Sequence, residues 1–462
     1  MLDPEPQTTR RQRNWLALGL FLALACLGYA YVRSFLGIDP FAAVRQKKGL
    51  GQNVQMSLED VGVRMYEGGQ LVAKMDLDRA DIREDRLFTD LYGVHNGLIF
   101  DGSTAYEFEA KRAVWHTARK IMEVKEGGKI RGEDVNLFIP AFTFDQNKRI
   151  LEAPGTLRGT LMKGKIEADR LRFNLKTREG SIGPAVWTGP ATIAFQEDEA
   201  ARFWTIRAPN GETRFKGDLA YHDGGVTASD GEVIVMAEQV EHNRKTGVLI
   251  AKGNVRYFGR EANLTCPEAV IYRRERRAVF TGGVTMLVKP EDQRGPAKVE
   301  DLPAFKSMKP EELKVAPPAK RTPEEKKLDE ELRSSESARR YPIVFRADRL
   351  EYWYRKGERR AKIEGSPEAH QVLSGNRWRR LWTHRAEYDG ERDRLVLFSS
   401  EGRFETRVKS SIGDDLRAAR VEVSTKKGDD EMTAKNVQGE IFDDESETQG
   451  GSEPPPGAPP AR

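Results

Sequence analysis

The feature that most constrains this chain is a repeated pair of strands. Each copy opens with a small residue, two mostly polar residues and an alternating run. A turn follows, then a second strand that ends near glycine. The copies read FEAKRAVW at 108–115, IEADRLRF at 166–173, VMAEQVEH at 235–242, LTCPEAVIY at 264–272 and FRADRLEY at 345–352, with a weaker LWTHRAEY at 381–388. The step from Ala237 to Cys266 is 29 residues and that from Ala347 to Thr383 is 36. A hairpin-sized unit cannot bury its apolar face alone. Stacked copies bury one continuous core and leave unpaired sheet edges at the two ends.

Within the copies, apolar and polar residues alternate, the mark of a strand with one buried face. Leu171, Phe173 and Leu175 alternate with Arg172, Asn174 and Lys176; Leu71, Ala73, Met75 and Leu77 do so with Lys74, Asp76 and Asp78. Val284, Met286 and Val288 repeat the pattern, as do Leu350, Tyr352 and Tyr354. Turn signals separate the runs at Gly68-Gly69, Gly127-Gly128, Gly224-Gly225 and Gly282-Gly283. No sustained helical period runs through 50–288, so the expected class is mainly β.

The array is interrupted once. Residues 289–340 hold seven prolines, many Lys and Glu, and Phe305 as their one aromatic, which is linker composition. Inside it, Thr322, Pro323 and Glu325 have the spacing of a capping box and predict a short exposed helix ending near Arg340. Residues 446–462 are expected to be a disordered tail.

Ahead of the array, residues 1–14 carry Arg10, Arg11 and Arg13, and Trp15 to Val32 is an 18-residue run without a charge. That length fits a membrane-spanning helix, and the flanking arginines place the N-terminus in the cytoplasm and export the rest. A signal-peptidase site at Ala23-Leu24-Ala25 and lipidation of Cys26 are the alternatives. Both expect polar sequence after the cut, whereas the chain stays apolar through Val32.

Several chemistries find no support. Lys+Arg 76 against Asp+Glu 72 gives +4 over 462 residues, too little for nucleic-acid binding by bulk charge. Two cysteines do not make a disulfide scaffold. There is no GxxxxGK[ST], GxSxG, HExxH or CxxC, and no two of the six histidines are closer than 14 residues. Arg273-Arg274-Glu275-Arg276-Arg277 reads as a charged hairpin tip. In Arg377-Trp378-Arg379-Arg380-Leu381-Trp382, strand spacing puts Trp378, Arg380 and Trp382 on one face. That face is either packed over a sheet end or exposed to anionic lipid.

The stretch Val235 to Val288, with Gly253-Asn254-Val255 and Gly282-Gly283-Val284 closing its second strands, resembles the OstA-like domain of the lipopolysaccharide transport family of LptA and LptC. Val61 to Ala80 (VGVRMYEGGQLVAKMDLDRA), just past the apolar run, is similar to the opening of the LptC domain. The resemblance covers most of 50–288 and extends more weakly to 343–445. It implies a slit-like OstA-like β-jellyroll, or β-solenoid array, behind one N-terminal transmembrane helix. The expected organisation is a cytoplasmic N-terminus (1–14), an anchor (15–32), an LptC-like β domain (50–196), an OstA/LptA-like β domain (197–288), a linker (289–340), a second OstA-like segment (341–445) and the tail (446–462).

The implied function is non-enzymatic, without cofactor or metal. It is carriage of lipopolysaccharide or a related glycolipid from inner to outer membrane, with acyl chains shielded in an apolar groove. The implied partners are an inner-membrane ABC transporter and other OstA-like bridge proteins added edge to edge. The alternating strands give the candidate lipid-binding set: Leu171, Phe173, Leu175, Val255, Tyr257, Val284, Met286, Val288, Leu350, Tyr352 and Tyr354. The rivals are a membrane-anchored β-solenoid scaffold or adhesin with a filled interior, and an exported carbohydrate-active enzyme on a β-helix.

Overall fold

The computed structural model describes residues 54–101, 104–191, 202–214, 219–296, 322–333, 340–401, 405–426 and 432–440, with Arg403 and Asp429. The expected anchor at 15–32 and the expected tail lie outside the described residues. Among the described residues, no helix is long and apolar enough to cross a membrane.

The fold is mainly β, as its alternation predicts. The strands are β1 (Val54–Glu67), β2 (Gln70–Arg83), β3 (Phe88–Asp101), β4 (Thr104–His116), β5 (Ile121–Glu126), β6 (Gly128–Gly132), β7 (Val135–Ile139), β8 (Phe142–Asp145), β9 (Ile150–Ala153) and β10 (Leu157–Leu161). Next come β11 (Gly164–Ala168), β12 (Leu171–Asn174), β13 (Glu179–Ile182), β14 (Ala185–Ala191), β15 (Arg202–Ala208), β16 (Asn210–Arg214), β17 (Leu219–Ser229), β18 (Ile234–Asn243), β19 (Val248–Phe258), β20 (Ala262–Tyr272) and β21 (Arg277–Val288). A helix, α1 (Pro323–Arg333), separates these from β22 (Ile343–Trp353), β23 (Arg360–Glu364), β24 (Glu368–Val372), β25 (Trp378–Trp382), β26 (Arg385–Asp389), β27 (Arg394–Phe398), β28 (Thr406–Ser410), β29 (Asp415–Ser424) and β30 (Met432–Glu440).

The described residues form two compact units, 54–129 with Ala141–Asn147, and Ile130–Pro140 with 148–440. In the first, β1, β2, β3, β4, β5 and β8 follow one another as an antiparallel meander. On β2, Ala73, Met75 and Leu77 are buried while Lys74, Asp76 and Asp78 are exposed, the period-two pattern of a half-buried strand. Leu91, Val94, Phe108, Ala113 and Val124 are also buried. Asp81 and Asp90 are buried directly opposite each other. Each is satisfied: Ser57 Oγ donates to Asp81 at 2.7 Å, and Arg83 Nε donates to Asp90 at 2.8 Å.

In the second unit, the long strands β17 to β22 form an antiparallel meander in which every pairing slips by one residue at the same level. The slips fall between Asp223 and Val226, Met236 and Gln239, Lys252 and Val255, Thr265 and Glu268, and Thr281 and Val284. This line of bulges bends each strand and divides the sheet into two strips. The repeat motif is the sequence of the bend. Gly224-Gly225, Gly253-Asn254 and Gly282-Gly283 supply the extra residue, all with positive φ. The facing strands carry Ala237, Cys266 and Ala347, small residues that are buried at the bend.

Beyond the long strands, pairs of short strands continue the two strips separately. Residues 349–353 of β22 pair with β23, and residues 343–346 with β24. The first strip then runs β23, β26, β27 and the second β24, β25, β28; both rejoin on β29. On the other side, β17 likewise pairs with β16 through its first half and β15 through its second. The sheet therefore continues across the linker. The edge that Thr281 to Val288 would offer is occupied by β22. At the far end, β30 has β29 as its one neighbour among the described residues.

The helix is docked rather than exposed. Thr322 N–H donates to Glu325 Oε2 at 2.8 Å, and Glu325 N–H donates to Thr322 Oγ1 at 3.3 Å, completing the predicted capping box. Leu332 is buried with Leu373 and Ile412, residues of the β24–β25 and β28–β29 turns. Arg377, buried, donates to Asp329 Oδ1 at 2.9 Å and to the Glu325 carbonyl at 3.1 Å.

Candidate apolar cleft

One apolar cluster fills the inward face of the second unit, from Ala237 to Val421, and draws on both strips and both sides of the linker. Because a strand's alternate residues share a face, the register fixes which side chains point inward. The bulge holds the phase across the bend: on β19, Leu249, Ala251, Val255 and Tyr257 all belong to the cluster.

Of the candidate set, Val255, Val284, Leu350 and Tyr354 are buried in this cluster, and Tyr257 and Tyr352 pack against it partly exposed. Met286 and Val288 lie on the same face of β21, opposite Phe345 and Ile343, and are half-buried outside the cluster. Leu171 and Phe173 are half-buried on β12, and Leu175 is buried just past its end; these three are not part of the Val255 cluster. Arg172 is exposed and ion-paired with Glu152 at 2.9 Å, while Arg256 Nε donates to Asn254 Oδ1.

Two kinds of side chain line the cluster. Ala251, Ala269, Ala278 and Ala386 are buried and bring backbones close. Around them Tyr257, Phe345, Tyr352 and Leu381 are large and only partly buried. A row of the second strip runs Leu264, Met286, Phe345, Ala369, Leu381, Val408, apolar throughout. One register step toward the α1 end, the row reads Ala262, Val288, Ile343, Gln371, Arg379, Ser410.

Burial keeps most of the titratable groups here neutral. It pushes the Tyr257 phenol up to about 12, with Tyr352 adding to the effect, and the Cys266 thiol up to about 12. His242 is pushed down to about 4 by burial and then by Arg273 and Arg244; His222 is lowered by burial and Arg244. Among the described residues, no group of three His, Cys, Asp or Glu is arranged to hold a metal ion.

Trp378, Arg380 and Trp382 share the face opposite Leu381, so they do not pack against the cluster. Trp378 is buried, and the Trp382 ring has the guanidinium of Arg380 4.5 Å and that of Arg407 5.8 Å from its centroid. Sequence reasoning about this segment followed its tryptophans and overlooked Arg379. The signal was present: if Trp378 and Trp382 face one way, Arg379 and Leu381 face the other.

Along the first strip's rim, the hairpin tips carry the basic residues. Neighbouring tips are joined by backbone bonds from Arg273 N–H to the Gly247 carbonyl (3.1 Å), Tyr354 N–H to Arg276 (3.0 Å) and Gly390 N–H to Arg359 (2.8 Å). Compared with known proteins, the chain matches no family model and no curated sequence.

Proposed function

We propose that this protein is a non-enzymatic carrier of an amphiphile, its acyl chains held in the apolar cleft of the second unit. The observation that carries this reading is the set of large, half-open inward side chains, Tyr257, Phe345, Tyr352 and Leu381, around one core spanning both sides of the linker. A dodecyl chain hides on the order of ten methylenes, roughly 8 kcal/mol at about 0.8 each, so a cleft supplies affinity without chemistry. The resemblance to the OstA-like family points to lipopolysaccharide or a related glycolipid as cargo, moved from inner to outer membrane behind the 15–32 anchor. An inner-membrane ABC transporter would supply the energy, and OstA-like partners would add to a free strand edge. Within the second unit, β30 is the edge best suited, with Met432 and Val437 exposed.

The buried alanines Ala251, Ala269 and Ala278 favour a second reading, a closed scaffold with a filled interior. Extraction of the full-length chain from envelopes, followed by mass spectrometry of co-purifying lipid, separates the two. The carrier reading expects stoichiometric glycolipid, and less of it in Tyr257→Asp. A lipid-free protein would support the scaffold.

A further inference from the structure

We infer that Arg379, with Gln371, forms a subsite for the anionic head group of an amphiphile at the α1 end of the cleft. This rests on the carrier reading and adds to it which end of the cargo lies where.

Arg379 is on β25, two residues from Leu381 and on the same face, so it points inward. It is half-buried. Its Nε donates to Gln371 Oε1 at 2.7 Å, and the Gln371 amide is in turn held by the Tyr341 carbonyl at 2.7 Å. Among the described residues, no carboxylate lies within ion-pair distance of its guanidinium, and the two terminal nitrogens have no protein partner. Its position differs from those of its neighbours. Arg377 has Asp329, Arg380 has Glu368 at 2.7 Å, and Arg407 has Asp415. Burial without a counter-charge lowers even this group, to about 10.

A half-buried cation without a counter-charge loses part of its hydration with no ion pair to offset the loss. The surroundings indicate what would. The next inward row along the strands is apolar from Leu264 to Val408, and the row holding Arg379 is where apolar residues give way to Gln371, Arg379 and Ser410. A molecule with its chain on the first row and an acidic oxygen on the second matches both. A guanidinium with free terminal nitrogens suits a phosphoryl or carboxylate group, which it engages through two parallel donors. Gln371 fixes the fork's orientation before the ligand arrives.

The test uses the full-length chain in amphipol and three probes: dodecyl phosphate, dodecyl maltoside and inorganic phosphate. The subsite predicts that dodecyl phosphate binds at least tenfold more tightly than dodecyl maltoside. In Arg379→Gln that preference falls to within twofold with maltoside binding unchanged, and Arg379→Lys retains part of it. Inorganic phosphate, lacking the chain, is expected to bind at least tenfold more weakly than dodecyl phosphate. Equal binding of both amphiphiles by the wild type overturns the subsite and leaves the cleft reading intact; binding of neither overturns both. Inorganic phosphate binding as tightly as dodecyl phosphate overturns the head-group assignment. A thermal scan gives an independent readout. Without ligand, Arg379→Met is expected to melt above the wild type, because it removes an uncompensated charge. A lower melting temperature, or failure to fold, would make Arg379 a structural residue and overturn the proposal.

Discussion

Val284 of β21 lies directly opposite Ala347 of β22, although the whole proline-rich linker separates them in sequence. Both are buried in the same cluster, 1% and 7% exposed. The linker is therefore an excursion from a sheet that closes behind it, and residues on either side of it stabilise each other.

Thr285 is the place to test that closure. It pairs with Thr265 on one side and Arg346 on the other. Thr285→Pro puts a residue without an N–H into a strand with neighbours on both sides, a place where proline is essentially not found. Limited proteolysis is expected to release the 343–440 segment first. Unchanged protection of that segment would mean that the β21–β22 pairing contributes little.

Gly282 and Gly283 form one bulge with φ of +87° and +97°. At Gly283 an added Cβ meets nothing within 4 Å, so Gly283→Ala carries only the backbone strain, about 1–2 kcal/mol. At Gly282 the Cβ would also come within 2.9 Å of Pro267 Cγ. Gly282→Ala is expected to have the lower urea midpoint of the two.

His242 makes stability depend on pH. Its folded pKa, about 4, lies below the ordinary 6.5, so between those values the unfolded chain binds more protons. Stability from this group is present above pH 6.5 and is lost as pH falls toward 4. Full burial would give about 3 kcal/mol; with the ring partly open to solvent, roughly 1–2 is expected. Urea midpoints at pH 7.5 and 5.0 should differ more for the wild type than for His242→Leu.

Asp329 holds the helix by pairing with Arg377, whose side chain is 4% exposed. Asp329→Ala leaves that guanidinium buried without its carboxylate, an effect of roughly 3 kcal/mol. Hydrogen exchange should rise across 323–333 and the 373–377 turn while the β17–β21 amides stay protected. Uniform loss of protection would show that α1 is integral to the core rather than laid over it.

The strands were legible because alternation and paired glycines are local. On β2, buried Met75 and Leu77 and exposed Lys74 and Asp76 can be assigned from the sequence. The repeat was legible too, but its meaning was not. The small residue and the apolar residue three places on, such as Cys266 and Ala269, face the same way because the pairing slips between them opposite the bulges of β19 and β21, which period-two reading does not anticipate. The junction of β21 with β22 depends on pairing across the linker, which no local pattern encodes. Arg379 went unread because its environment is made by Gln371, Ser410 and Tyr341, none of them its close sequence neighbours.

A carrier touches lipid with its inward face and not with its outward face. Photoreactive residues at Phe173, Tyr257, Met286 and Tyr352, compared with Arg172 and Arg256 in intact cells, test it most directly. Glycolipid adducts are expected at the first four positions and none at the two arginines. Equal labelling of both sets, or labelling of the arginines alone, would contradict it.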